Sequence, residues 1–335
     1  MLESKAVKIN TAILVSIAGI FLCVLLSLAV GARYVPPGQV WEALLGRGED
    51  AFIASVVASR IPRTVFGLLA GSALGVSGAL MQAITKNPIA DPSILGVNTG
   101  ASLAVVCGIA FFNINLPGQY IWLALLGAGA TAVFVYAIAM VGTGEITPIK
   151  LALSGAATSV ALSSLVSTIM LPKSNVMDDF RFWQVGSLSG TSWNDILVAL
   201  PYLGVGFIIA LFLIPSLNGL ALGDEMAASL GVNVKLTRGL GALAGVLLCA
   251  ATTALAGPIG FVGLMIPHLI RLVFGADLKY IIPLSAVGGA VLLTISDVIG
   301  RVLGSPGELE VGIVTAILGA PFFIFIARKA KVSTL

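Results

Sequence analysis

The chain has 335 residues, of which 58% are hydrophobic and only 10% charged, with a formal net charge of +3. A soluble protein of this length carries about a quarter charged residues, so the composition is that of an integral membrane protein. Sparse aromatics and dispersed basic residues offer no nucleic-acid-binding surface. Cys23, Cys107 and Cys249 fall inside apolar runs and read as small buried hydrophobes rather than disulfide or metal partners. The single His268 cannot form a metal cluster by itself. The first apolar run is too long for a cleavable signal, and no small-residue cleavage pattern follows it before Arg33.

A membrane-spanning helix needs about 20 apolar residues, and charges with Pro/Gly breaks divide the chain into about ten such segments. The expectation is therefore an all-α, polytopic membrane protein forming a single domain, residues 1–335. Residues 9–32 carry no charge and form the first span. A polar stretch, 33–60, precedes the second span, 64–85, which Arg63 and Lys86 bound. In that span Gly67, Gly71 and Gly75 recur at steps of four, with Gly78 beyond them, a ridge that lets a neighbouring helix approach closely. The loop Lys86-Asn87-Pro88-Ile89-Ala90-Asp91-Pro92 follows. Residues 92–144 lack any charge and hold spans three and four around a turn at Pro117-Gly118. Span five starts after Lys150 and ends near Leu171, and span six is 196–217. Span seven is 239–256, broken by Gly257-Pro258; spans eight, nine and ten are 259–274, 280–296 and 311–327. An even count puts both termini on one side. With the termini in the cytoplasm, eleven Lys and Arg lie inside and seven outside, as the positive-inside rule favours.

Residues 223–238, GDEMAASLGVNVKLTR, form the most polar stretch of the second half. Asp224 and Glu225 come first, then Ala227, Ala228 and Leu230, then Gly231. Acids near the positive end of the dipole, small and apolar residues in the body and a glycine stop predict a short helix. Between two membrane spans it offers a docking surface for another protein; an ordinary spacing loop is the plainer alternative. Arg60 and Arg63 lie three apart and share a helix face, and Arg301 is placed at the same outer side. Three exposed arginines would receive carboxylates from a soluble partner, or anchor lipid headgroups. Ser159, Ser163 and Ser167 recur at steps of four on span five, lining a translocation path or bonding to carbonyls within the bundle. Asp297 and Arg301 have the spacing of an i,i+4 ion pair. The chain has no GxxxxGK[ST] phosphate loop, no run of intramembrane acids for proton coupling and no catalytic constellation.

Several motifs in fixed order resemble the FecCD/BtuC type of ABC-importer permease. They are Arg60-Ile61-Pro62-Arg63-Thr64, Ser77-Gly78-Ala79-Leu80-Met81-Gln82, Asn87-Pro88-Ile89-Ala90-Asp91-Pro92 and Leu95-Gly96-Val97. The remainder are the Gly223–Gly231 stretch with Val232, the run from Ala256-Gly257-Pro258 to Gly263-Leu264, Pro267-His268-Leu269-Ile270-Arg271, and Gly312 through Gly319-Ala320-Pro321-Phe322-Phe323. The resemblance covers the chain from about Arg60 to its end.

The resemblance implies ten helices per subunit, a pair of permease subunits, two cytoplasmic ATPase subunits that bind ATP and Mg, and an extracytoplasmic binding protein. This chain would hold no cofactor. It would sit in the bacterial cytoplasmic membrane, among lipid and without nucleic acid, and carry a ferric siderophore, with haem or cobalamin as alternatives. Residues 223–234 would hold the coupling helix against the ATPase, although Met226 stands where the family pattern has its first alanine. Arg60, Arg63 and Arg301 would dock the binding protein, and Asn87 would belong to a cytoplasmic gate. Thr147-Pro148-Ile149 departs from the family at Pro148 and receives no gate role. An ion-coupled secondary carrier is the reading from a different class.

Overall fold

The computed structural model describes residues 2–48, 50–112, 114, 117–141, 148–172 and 174–329, and these are helices and connecting turns without a strand. In order they are α1 (Leu2–Ala29), α2 (Pro37–Leu44), α3 (Ala51–Thr85), a 3-10 turn (Pro92–Leu95), α4 (Val97–Phe112), α5 (Pro117–Met140), α6 (Pro148–Met170) and α7 (Ser174–Val185). Then come α8 (Trp193–Ala221), α9 (Asp224–Ser229), α10 (Val234–Ala256), α11 (Val262–Phe274), α12 (Leu278–Leu303) and α13 (Val311–Lys329). Seven of the described helices are long and apolar enough to cross a membrane: α1, α3, α5, α6, α8, α10 and α12. Shorter apolar helices lie at Val97–Phe112, Val262–Phe274 and Val311–Ile324.

α3 is the centre of the bundle. It packs against α1, α2, α8, α10, α11 and α12. Its most apolar window is 78% buried, against 17% for α6 at the periphery. The glycine ridge makes this possible. A Cβ on Gly71 would overlap the Gly289 carbonyl of α12, one on Gly75 the Ser285 carbonyl, and one on Gly78 the Gly263 carbonyl of α11. Backbone therefore meets backbone at three successive levels, which small residues alone permit.

Polar side chains of α3 complete these contacts. Pro267 has no N–H to give the carbonyl four residues earlier, that of Gly263. The buried Gln82 amide supplies donors instead, bonding Gly263 O at 3.3 Å and Leu264 O at 3.2 Å. Ser77 Oγ donates to Gly245 O of α10 at 2.5 Å. An apolar environment makes such pairing obligatory.

The segment between the first two spans differs from its expectation as a polar loop. Pro37 opens α2 in the position where a missing N–H costs nothing, and Val40 is buried while Trp41 is exposed. Asp50 caps α3, its carboxylate accepting from the amides of Phe52 and Ile53. α3 thus begins at Ala51 rather than residue 64, and Arg60, Pro62 and Arg63 lie inside it. Charge fails as punctuation here because both guanidinium groups have partners within the bundle. α7 also falls in a stretch read as a connection. Its second half carries Phe180 and Trp183, whose ring centroids are 5.6 Å apart, and Trp183 Nε1 donates to Ala254 O.

Gly75→Ala is expected to destabilise the protein by about 1–3 kcal/mol through forced separation of α3 from α12. Gly129→Ala, where nothing lies within 4 Å of a new Cβ, is expected to stay within about 0.5 kcal/mol of wild type. Thermal unfolding of the two variants in detergent checks this contrast.

Candidate functional site

Two polar clusters occupy opposite ends of α3. Arg60 and Lys86 are separated by 26 residues of chain, about 39 Å of helix at 1.5 Å per residue.

At the first end the structure corrects the expectation of exposed arginines. The last carbonyls of α1 have no partners within their own helix. Leu26 O takes the amide of Val30, and Ala29 O takes that of Val35 at 2.8 Å. Leu28 O accepts from Arg60 Nη1 at 2.7 Å, and Ser27 O from Arg301 Nη1 at 3.0 Å. Two guanidinium groups therefore complete the C-terminal cap of α1, where the helix dipole also favours cations. Arg60 further donates to Arg33 O at 2.6 Å, and a Cβ on Gly31 would press on its guanidinium. Arg60 and Arg301 are only 8% and 3% exposed as a result.

Arg63 turns away from Arg60 toward acids. It donates from Nη2 to Asp297 at 2.8 Å and from Nη1 to Glu308 at 2.9 Å. The i,i+4 pair read from sequence forms as well, with Arg301 Nη2 at 3.1 Å from Asp297. Asp297, 3% exposed, thus serves two arginines. Ser27 Oγ shares a hydrogen bond with Thr64 Oγ1 at 2.7 Å and accepts from Arg301. Arg60, Arg63, Arg301 and Glu308 all line one recess of about 560 Å³, with Ser189 to Trp193 opposite. Three guanidinium groups face two carboxylates, Asp297 and Glu308, so the cluster keeps an excess positive charge.

At the second end α9 forms as expected, and its bounds lie inside the expected 223–234. Gly223 (φ 112°) and Gly231 (φ 82°) take backbone conformations suited to glycine on either side of it. Glu225, Met226, Ala228, Ser229, Leu230 and Gly231 are exposed. Ala227 is the exception: it is fully buried, and its carbonyl accepts from Val232 N at 2.9 Å. It packs inward and is not part of the free face. Met226 and Leu230, 54% and 62% exposed, give that face its apolar character. In the sequence Met226 is only a departure from a motif, whereas one helical turn places it beside Leu230. Asp224 does not point outward either. It accepts from Lys86 Nζ at 2.8 Å and pairs with Arg238 Nη2 at 2.9 Å.

Asn87 follows Lys86 and shapes its loop, its Oδ1 accepting from Ile89 N at 3.1 Å. Thr147 lies outside the described residues, while Pro148 opens α6. On α6 the serine stripe divides. Ser159 Oγ accepts from Thr99 Oγ1 of α4 at 3.3 Å, whereas Ser163 and Ser167 are exposed. Ser167 Oγ donates to Ser163 O within its own helix at 3.0 Å.

The profile of the FecCD transport family matches residues 19–329. The ferric enterobactin transport system permease protein FepD of Escherichia coli is 42% identical over 304 residues, covering 91% of each chain. The Fe(3+)-citrate import system permease protein YfmD of Bacillus subtilis is 42% identical over 292 residues, 87% of this chain and 85% of its own. A solved structure described as an inward-facing conformation of a metal-chelate type ABC transporter superposes with a TM-score of 0.81 at 27% identity, covering 96% of this chain and 99% of that one. The molecule is a multi-pass helical membrane protein of the permease type. It belongs to the FecCD transport family.

Asp297→Asn leaves buried arginines without their shared carboxylate and is expected to destabilise by about 3–5 kcal/mol, whereas Glu308→Gln at the rim is expected to cost under about 1 kcal/mol. Denaturant titration in detergent checks both. The hydrogen bond from Lys86, helped by the charge of Arg238, holds the Asp224 carboxyl below its ordinary range. A depressed carboxyl contributes stability above its unfolded pKa and loses it as pH falls through the folded value. The thermal-midpoint difference between wild type and Asp224→Asn is therefore expected to stay flat over about pH 5–8 and to vanish only below about pH 4.

Proposed function

We propose that this chain is the transmembrane permease subunit of an ATP-binding-cassette importer and translocates a ferric siderophore across a bacterial cytoplasmic membrane. It works with a second permease subunit, two cytoplasmic ATPase subunits and an extracytoplasmic binding protein. It performs no hydrolysis itself and holds no cofactor; ATP and Mg belong to the ATPase. Both termini and α9 face the cytoplasm, and the arginine recess faces outward. The three shorter apolar helices complete about ten membrane segments with the seven long ones.

The observation that carries this reading is α9 itself. A short helix with an exposed Met226–Leu230 face lies between two long spans, α8 and α10, in a chain 42% identical to FepD. An exposed apolar face on an otherwise charged end marks a protein contact. The contact suits the ATPase, with Glu225, Ala228, Leu230 and Gly231 on the docking face and Ala227 and Asp224 holding it from behind. ATP supplies the free-energy difference between inward and outward states, without which no net import follows.

The cargo assignment rests on the two relatives named for ferric enterobactin and ferric citrate. The exposed serines of α6 are poor companions for lipid, so Ser163 and Ser167 face the second permease or a watered path, with Ser159 behind them. Asn87 sits in the loop that gates the cytoplasmic side. In the recess, Arg63 would meet a carboxylate of the binding protein by exchanging its bond to Glu308, while Arg60 and Arg301 add positive potential and keep their own bonds to α1.

Replacing Leu230 by Glu is expected to abolish co-purification of the ATPase subunit while leaving the permease's thermal midpoint unchanged. Undiminished co-purification would contradict the assignment of α9.

A further inference from the structure

Lys86 has a backbone conformation that lysine rarely adopts. As the C-cap of α3 it sits at φ 51°, ψ 29°. Helices usually place glycine at this left-handed stop, and a side chain there costs roughly 1 kcal/mol. Its ammonium offsets that cost by reaching Asp224, the first residue of α9, at 2.8 Å. The same carboxylate binds Arg238, in the second turn of α10, at 2.9 Å. Three elements thus meet at one carboxylate: the end of α3, the start of α9 and the start of α10. On its C-terminal side Lys86 is joined directly to Asn87, whose side chain sets the turn leading to Pro92.

Stability does not explain the arrangement. The side chains of Lys86 and Asp224 are 38% and 34% exposed, and ion pairs so open to solvent stabilise by about 1 kcal/mol at most. Glycine would fit the backbone better. What a lysine adds is a connection. α9 is linked to α10 by four residues of chain, 230–233, but lies 138 positions from Lys86, and the ion pair joins them directly. A carboxylate gripped from two sides transmits displacement of α9 to both α10 and the α3 cap.

We propose that Asp224 is a positioning residue, clamped between Lys86 and Arg238, that carries movement of α9 into the loop 86–92 and so links ATPase motion to the gate beside Asn87. This rests on the reading of α9 as the ATPase contact. α10 moves with α9 through chain connectivity; the clamp is the direct side-chain link from α9 to the residue that opens the loop 86–92, beside the packing of α3 on α10. Loss of the clamp therefore separates ATP hydrolysis from transport, without loosening the fold or releasing the ATPase.

The decisive variant is Lys86→Gly, which removes the ammonium and relieves the backbone at once. The complete complex, with permease pair, ATPase and binding protein, is reconstituted in vesicles. Radio-iron-labelled ferric citrate, ferric catecholate and ferric hydroxamate are each supplied, and uptake is measured beside ATP hydrolysis. Lys86→Gly is expected to match or exceed the wild-type thermal midpoint and retain the ATPase, yet to lower uptake per ATP at least fivefold. Asp224→Asn is expected to lower uptake per ATP likewise, with a thermal midpoint slightly below wild type at neutral pH, and Lys86→Arg, which keeps a donor, to restore most of the ratio. Wild-type uptake per ATP in Lys86→Gly would overturn the clamp and leave the importer reading standing. Loss of ATPase co-purification in that variant would also overturn it, by showing a docking role. A wild-type complex that takes up none of the three with ATP would bring down the importer reading and the clamp with it.

Discussion

The bundle depends on the absence of side chains along one face of α3. Where Gly71, Gly75 and Gly78 face Gly289, Ser285 and Gly263, the helices touch through backbone atoms, and no rearrangement of side chains can substitute for that fit. Dispersion contacts and hydrogen bonds then accumulate around it, with Ser77 reaching α10 and Gln82 supplying donors that Pro267 cannot give. In a membrane, where lipid is as apolar as leucine, such close packing replaces the hydrophobic drive that holds soluble cores together. α3 thereby becomes a continuous strut of 35 residues. One of its ends carries the arginines and the other carries Lys86.

The charged groups at those ends follow from the need of polar atoms taken from water to find partners, which most of their atoms meet. At the arginine end the need arises from α1, which stops at Ala29 with carbonyls pointing into protein. Arg60 and Arg301 answer it from α3 and α12, and Asp297 holds Arg301 and Arg63 in turn. Capping, ion pairing and inter-helix registration are thus performed by the same few side chains. At the α9 end the pairing is more open to solvent.

Much of this was legible in the sequence, because much of it is local. Apolar runs located the long helices. Gly257-Pro258 separates α10 from α11 as read, whereas the turn read at Pro117-Gly118 falls in the first turn of α5. The acid–small–glycine order of 224–231 gave α9, and steps of four gave both the ridge on α3 and the Asp297–Arg301 pair. What escaped was long-range. Nothing near Arg60 announces that it caps a helix ending about 30 residues earlier, so charge reads as a span boundary and the expected span starts 13 residues after α3 does. Arg63 meets Asp297 across 234 positions, and Lys86 meets Asp224 across 138. Ala227 reads as part of the docking face because a six-residue helix has too little periodicity to declare its buried side. α7, with a mixed and partly charged sequence, lacks the apolar run that exposed the others.

The central claim, that ATP hydrolysed by a partner drives iron-chelate import through this chain, is tested most directly by uptake into vesicles. They would contain the permease, its ATPase and its binding protein, and be offered labelled ferric siderophores with and without internal ATP. Accumulation of one ferric siderophore that stops when ATP is withheld is the expected result. Accumulation that persists without ATP and collapses with the proton gradient would contradict it, and would make the protein an ion-coupled carrier.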